Sequence, residues 1–268
     1  MKWKPSILLI ILASSFIFSC QTVPITGREQ LSFVPASQLL AVSFGQYKDF
    51  LAKHRVVEQG EQAAMVKRVG RRIQAAVEQY FSQKGLAKRL EGYQWEFHLV
   101  DEKEANAWCM PGGKVVVYTG ILPLTGDENG LAVVMGHEIA HAVANHGGER
   151  MSQGLLVEMG GLTLDAALER NPKRTNDLFL GAYGLGAQVG ILLPYSRVQE
   201  SESDHLGLIF MAMAGYDPRT AVGFWERMRA SKEGSAPPEL LSSHPADTRR
   251  IENIRKLLPE AMNYYRPQ

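Results

Sequence analysis

The sequence predicts an α+β fold, mostly helical, with one small antiparallel sheet and the zincin type of architecture. Apolar residues recur at spacings of three and four along most of the chain. Only residues 93–100 and 114–119 carry the alternation or β-branched enrichment of strands. Neither a linker nor a repeat of 20–50 residues divides the remainder, so residues 37–268 read as one domain. Hydrophobic residues make up 45% and charged residues 21%, which fits a folded chain and excludes disorder. A net charge of +1 leaves no basic excess to hold nucleic acid.

Residues 1–19 read as a signal peptide. Lys2 and Lys4 precede an apolar run from Ile7 to Phe18, too short for a spanning helix, which needs about 20 residues. The run stops at Cys20, as in bacterial lipoprotein signals, where cleavage precedes a cysteine that becomes lipid-modified. Ile17 and Phe18 depart from the usual residues there, and a plain signal with an incidental cysteine is the alternative. Gln21 rather than Asp after the cysteine resembles outer-membrane sorting. The expectation is an outer-membrane lipoprotein of a Gram-negative envelope, facing the periplasm and attached through Cys20. Cleavage there removes both lysines and turns the net charge of +1 into −1. Cys109 then remains as a lone thiol, read as a small buried hydrophobe that forms no intramolecular disulfide.

Residues 20–36, with Pro24, Gly27 and Pro35, form an arm. A helical pattern follows from Ala36 to about Ala87. In 93–100, Trp95, Phe97 and Leu99 alternate with Gln94, Glu96 and His98, as in a half-buried strand. Lys114–Thr119 follows the turn Pro111-Gly112-Gly113 as a second strand. Helices are expected over 131–145, with Asp127 or Glu128 as the start signal, and over 150–169, 178–193, 199–214, 219–230 and 248–257. The glycine-rich 178–193 stretch reads as a buried helix, and 231–238 as a flexible loop.

The chemistry centres on His137-Glu138-Ile139-Ala140-His141. Histidines four apart share one helix face and suit one zinc ion. Glu138 is placed to take a proton from the attacking water and return it to a leaving amine. Apolar neighbours on both sides would bury these polar groups at a cost unless they hold something. A hydrolytic zinc needs a third protein ligand. The longer motif with a third histidine is absent, so Glu200 is the candidate. Asp204, four residues on, can accept a hydrogen bond from a ligand histidine and fix its tautomer. Glu202 points away from that face and reads as a solvated carboxylate.

These motifs resemble the HExxH endopeptidases grouped with HtpX, BepA and the CAAX prenyl protease. Val23–Leu31, Asn106–Gly113, the histidine helix, Ser196–Asp204 and His244–Ile251 occur in the family's order. The resemblance implies zinc ligands His137, His141 and Glu200, one zinc per chain, and Glu138 as general base. It is nearest to the periplasmic BepA-like group, in a version with the protease domain alone. Damaged, unfolded or misassembled envelope proteins are the substrates it implies. His244 either stabilises the oxyanion or occupies the open zinc position as a latch. The Lys114–Tyr118 edge, close backbone approach at Gly113, Asn106 and Arg250 are expected to receive substrate. Asn106 reads equally well as a turn former. His146 and His205 look off the zinc face. A chaperone retaining the fold, or a structural zinc module with a fourth permanent ligand, are the rivals.

Overall fold

In the computed structural model of the chain, residues 20–159, 172–183, 196–231, 238, 240–244 and 248–267 are described. The expected signal peptide, parts of the helices expected over 150–169 and 178–193, and most of the 231–238 loop lie outside them.

Four strands form one sheet: β3 (Val56–Val57), β4 (Glu96–Val100), β5 (Ala107–Met110) and β6 (Lys114–Tyr118), in the order β3-β4-β6-β5. The two strands expected from sequence run parallel, Glu96 opposite Lys114 and Val100 opposite Tyr118. Antiparallel pairing comes from β3 with β4 and from the hairpin of β5 with β6. That hairpin turns at Gly112 and Gly113, whose φ values of 83° and 78° favour glycine. β6 is therefore central, not an edge, and its Val115-Val116-Val117 run is buried on both faces.

Period-two alternation separates two cores. Phe97, Leu99, Cys109, Val115 and Val117 face one core. Val100, Trp108, Met110, Val116 and Tyr118 face the other. The first is closed by α2 (Glu61–Gln83), α4 (Glu128–Val143) and α7 (Arg197–Met213). The second is closed by α1 (Ala36–Lys53), α5 (His146–Met159) and α6 (Pro172–Ala182). α1 packs on the second face at Val100, while Gln94 and Glu96 stay exposed and His98 partly so, and β4 is the half-buried strand expected. The pattern read as continuous over 36–87 divides into α1 and α2. Gly60 (φ 94°) caps the start of α2, and Val56–Val57 leaves the helix to pair with β4.

α4 begins where expected, with the Asp127 carboxylate accepting from Gly130 N at 2.9 Å. α7 begins with a reciprocal capping box between Ser196 and Gln199. The two helices meet through glycines: a Cβ on Gly207 would lie 3.0 Å from the Gly136 carbonyl carbon and from His137 N. After the short α3 (Leu122–Thr125), α8 (Thr220–Ser231), α9 (Leu240–Ser243) and α10 (Thr248–Tyr264) close the far side. α10 runs past its expected end at Leu257. Pro259 lies on its exposed side, and so does Arg255, whose carbonyl Pro259 cannot serve.

The N-terminal arm is part of the domain. β1 (Cys20–Thr22) and β2 (Glu29–Leu31) form an antiparallel hairpin, and Val23 and Gln30 are buried. Gln30 donates to Ala144 O at the end of α4 at 2.7 Å.

Candidate metal centre

α4 presents His137 and His141 one turn apart, and the close crossing at Gly136 and Gly207 brings Glu200 of α7 against them. His244 enters from the end of α9. The four side chains are buried and offer ligand atoms all within 4.8 Å of one another. Nε2 of His137 lies 3.0 Å from Nε2 of His141 and 3.2 Å from Nδ1 of His244. Oε1 of Glu200 lies 3.2 Å from His141 Nε2 and 2.8 Å from His244 Nδ1. Tetrahedral coordination at about 2.0–2.1 Å places ligand atoms roughly 3.3 Å apart, so these spacings fit one zinc ion. The donor set, three imidazoles and a carboxylate, also suits zinc.

Around these atoms a buried network fixes orientation. Asp204 Oδ1 lies 3.0 Å from His137 Nδ1, so the donated proton leaves Nε2 with its lone pair turned to the centre. Arg250 forks onto Asp204 at 2.8 and 2.9 Å and reaches Glu200 Oε2 at 2.6 Å. Its guanidinium stacks on Trp225, 3.5 Å from the ring centroid. Burial alone would raise the Glu200 carboxyl, but His244, Arg250 and His137 together hold it well below its usual range. Glu138 has fewer compensations. Burial raises its carboxyl above the usual value, with His244 and His137 opposing. Its Oε1 has no hydrogen-bond partner among the described residues, and His244 Nε2 is 3.5 Å away, within ion-pair reach.

The model of peptidase family M48 matches residues 67–258, a span that holds all four ligand candidates and Glu138. The chain belongs to peptidase family M48. Mitochondrial metalloendopeptidase OMA1 of Saccharomyces cerevisiae is 36% identical over 183 residues, covering 66% of this chain and 50% of that protein. Metalloendopeptidase OMA1 of Danio rerio is 33% identical over 272 residues, covering 95% of this chain and 54% of that protein. The β-barrel assembly-enhancing protease of Escherichia coli is 27% identical over 166 residues, covering 60% of this chain and 34% of that protein. Identity is thus higher to the two OMA1 proteins than to the group that the sequence motifs resemble most. The chain spans about half the length of these OMA1 relatives. M48 metalloproteases are zinc-dependent, which agrees with the fit of the four side chains.

Several expected residues of this M48 domain sit elsewhere than their sequence context suggested. Glu202 is not solvated. It is buried, and it accepts from Thr26 Oγ1 at 2.7 Å, from Arg28 Nε and NH2 at 3.0 Å each, and from His146 Nε2 at 3.0 Å. Burial would raise its carboxyl, but hydrogen bonds from His146, Arg28 and Thr26 bring it down to about 2. His146 is not off the site either: its Nδ1 lies 3.0 Å from Nδ1 of His141. A straight helix would carry it away, but α4 ends at Val143 and Asn145 adopts φ 61°, which folds the chain back. His205 does point away, to Glu260 at 2.8 Å.

Arg250 holds Glu200 and Asp204 rather than facing open space. Gly113 sits in the hairpin turn with the Trp95 ring 2.4 Å from where a Cβ would be, and its carbonyl accepts from Glu96 N at 3.0 Å. Asn106 is buried, and its Oδ1 accepts from Ala107 N at 2.9 Å, a contact with the next residue rather than the two-residue span of an Asx turn. The edge strand beside α4 is β5, not Lys114–Tyr118. Cys109 lies buried in β5, and burial raises its thiol well above the usual value. Arg28, Glu149 and His146 were not read as site residues from sequence. Glu149 and Glu202 side by side in buried positions would have needed a cation, and Arg28, in the Thr26-Gly27-Arg28 turn, was the available signal.

Proposed function

We propose that this M48 chain is a zinc-dependent endopeptidase, held at an envelope membrane by a lipid on Cys20 and acting on damaged, unfolded or misassembled envelope proteins. The observation that carries the hydrolytic reading is Glu138, a buried carboxylate whose Oε1 accepts no hydrogen bond among the described residues, beside His137, His141 and Glu200. A zinc ion held by those three side chains supplies Lewis acidity to a scissile carbonyl and lowers the pKa of water. Glu138, its basicity raised by burial, takes the proton of the attacking water and hands it to the departing amine. Asp204 keeps His137 in the required tautomer, and Arg250 holds both carboxylates of α7 in place. An extended peptide can add to the β5 edge by backbone hydrogen bonds, with Asn106 at its start and Gly113 at its turn. A binding-only chaperone would not need Glu138.

The relative named for enhancing β-barrel assembly supports envelope substrates, and the lipoprotein-like stretch ending at Cys20 supports the outer-membrane address. The mitochondrial OMA1 names weigh the other way. Lipid labelling of the wild type but not of Cys20→Ala tests the anchor. Digestion of an unfolded protein, with and without a chelator, tests the activity. Cleavage should stop with chelator and return with zinc. Glu138→Gln should keep zinc and lose about 10²–10⁴-fold in rate. Wild-type cleavage by zinc-loaded Glu138→Gln would remove Glu138 from the mechanism.

His244 carries a second reading. Its Nδ1 is within 3.2 Å of both Glu200 and His137, where a fourth ligand would sit. We read it as a latch on a resting enzyme. His244→Ala should then raise basal cleavage and self-cleavage while zinc stays bound. Zinc loss in that variant, with no gain of cleavage, favours a permanent four-ligand structural site. A fall in rate of about 10²–10³-fold with zinc retained favours an oxyanion role.

A further inference from the structure

His141 is held by a chain of hydrogen bonds that begins in the N-terminal arm. Arg28 forks between two buried carboxylates, donating to Glu149 at 2.8 Å twice and to Glu202 at 3.0 Å twice. Thr26 adds a third donor to Glu202. Thus held as an anion, Glu202 can only accept, so the proton in its 3.0 Å contact with His146 belongs to Nε2 of His146. With Nε2 donating to Glu202, Nδ1 of His146 is the nitrogen left to accept. The Ser203 hydroxyl, 3.2 Å from that nitrogen, can donate to it. So can His141 Nδ1, at 3.0 Å. With its proton on Nδ1, His141 turns an Nε2 lone pair toward Glu200 and His137. The second ligand histidine is therefore oriented through another histidine, whereas His137 is oriented directly by Asp204. The same arm grips the end of α4 through Gln30 and Ala144 O. Asn145, which sets the reversal that places His146, donates to Ser32 Oγ at 3.1 Å.

We propose that Arg28 and Thr26 are positioning residues for zinc: the N-terminal arm sets the tautomer and orientation of His141 through Glu202 and His146. The arm is then a working part of the metal site, although it lies outside the 67–258 span matched by the family. The proposal rests on the reading of His141 as a ligand. It also means that the expected acylation site, Cys20, is six residues from Thr26 and eight from Arg28.

The test uses the full chain and two readouts other than cleavage: zinc affinity by competition with a chromogenic chelator, and the visible absorption of the cobalt-substituted protein. Arg28→Gln and His146→Phe should each weaken zinc by about 10–100-fold, the usual loss when an outer partner of a metal ligand is removed. Each should alter the cobalt spectrum. The double variant should be no weaker than His146→Phe alone, because Arg28 acts through His146. Wild-type affinity and spectrum in the folded fraction of Arg28→Gln, with only a lowered melting temperature, would assign Arg28 to stability alone and overturn the proposal. Additive losses in the double variant would overturn it too. If Arg28→Gln folds poorly, Arg28→Lys carries the same test, since it keeps the charge but cannot fork between two carboxylates. His141→Ala separates the two readings. Retention of wild-type zinc affinity there means that His141 is not a ligand. Loss of zinc there with normal Arg28 variants means that only the relay is wrong.

Discussion

At the residue scale, the site is built from the spacing of side chains on two helices and from what each side chain meets where it is buried. His137, Glu138 and His141 announce themselves because a helix converts their spacing into one face. Glu200 and Asp204 repeat that logic on a second helix. Glu202 defeats it, because a helical wheel assigns direction but not what lies in that direction. The wheel turned Glu202 away from the zinc, and there it meets Thr26 and Arg28, more than 170 residues distant in the chain. This burial has a measurable consequence. The Glu202 carboxyl sits at about 2, below its ordinary value of 4.5. A depressed carboxyl contributes stability that is complete above the unfolded value and lost as pH falls through the folded one. The Glu202 contribution should therefore be full above about pH 4.5 and fade toward pH 2. Acid unfolding of Glu202→Gln followed by circular dichroism should be shallower over that window. Parallel wild-type and variant curves would show that the carboxylate's charge is not what Arg28 and His146 hold.

At the element scale, α4 and its start were readable from Asp127 and the apolar run, and α7 from its pattern over 199–214, though not its start at the Ser196 cap. Their mutual approach was not, because a glycine in a helix carries no outward mark of what it faces. Gly136 precedes His137, and Gly207 follows Asp204 by three. A Cβ on Gly207 meets backbone atoms of Gly136 and His137 at 3.0 Å, and one on Gly136 meets the Gly207 carbonyl oxygen at 3.0 Å. Backbone cannot rotate away as a side chain can, so the helices must part. Gly207→Ala gains helix propensity of up to about 1 kcal/mol, which competes with overpacking of about 1–3 kcal/mol. The balance should be net destabilisation in denaturant. More tellingly, Glu200 moves with α7, so zinc affinity should fall more than in an alanine exchange at exposed Gly45, where no atom lies within 4 Å of the new Cβ. Unchanged zinc affinity in Gly207→Ala would mean that the crossing distance does not set the site. The sheet was similarly half legible. β6 was visible from its valines, but β5 was concealed in a motif, Ala107-Trp108-Cys109-Met110, with no alternation to betray it. Both of its faces are buried.

For the whole molecule, the metal centre joins segments that otherwise share only packing. His137 and His141 belong to α4, Glu200 to α7, and His244 to the turn before α10, while Arg28 reaches in from the arm. The α+β class was predictable because it depends on local periodicity, which each segment carries by itself. The ligand set was legible through the family resemblance, but the buried partners that hold it, Arg28, Glu202 and His146, were not, since they depend on which buried charges find one another. Within 7% exposure the centre gathers Glu138, Glu200, Asp204, Arg250 and three histidines. Groups of this kind are costly to bury unless paired or coordinated to a metal. Zinc should therefore stabilise the fold as a whole, beyond the few residues that touch it. A ligand that binds only the folded state adds about 4 kcal/mol when present at 1,000 times its dissociation constant. Stripping zinc with a chelator should lower the melting temperature by several degrees, reversibly on adding zinc back. His141→Ala should melt at the same temperature with and without chelator, since it has no tight site to empty. Because His244 and Glu200 come from distant segments, the stripped protein should also expose α9 and the start of α10 to faster amide exchange than β6. An identical melting temperature before and after complete removal of zinc, verified by metal analysis, would show that the buried charges are satisfied by Arg250 and by one another, and that the ion is needed for chemistry alone.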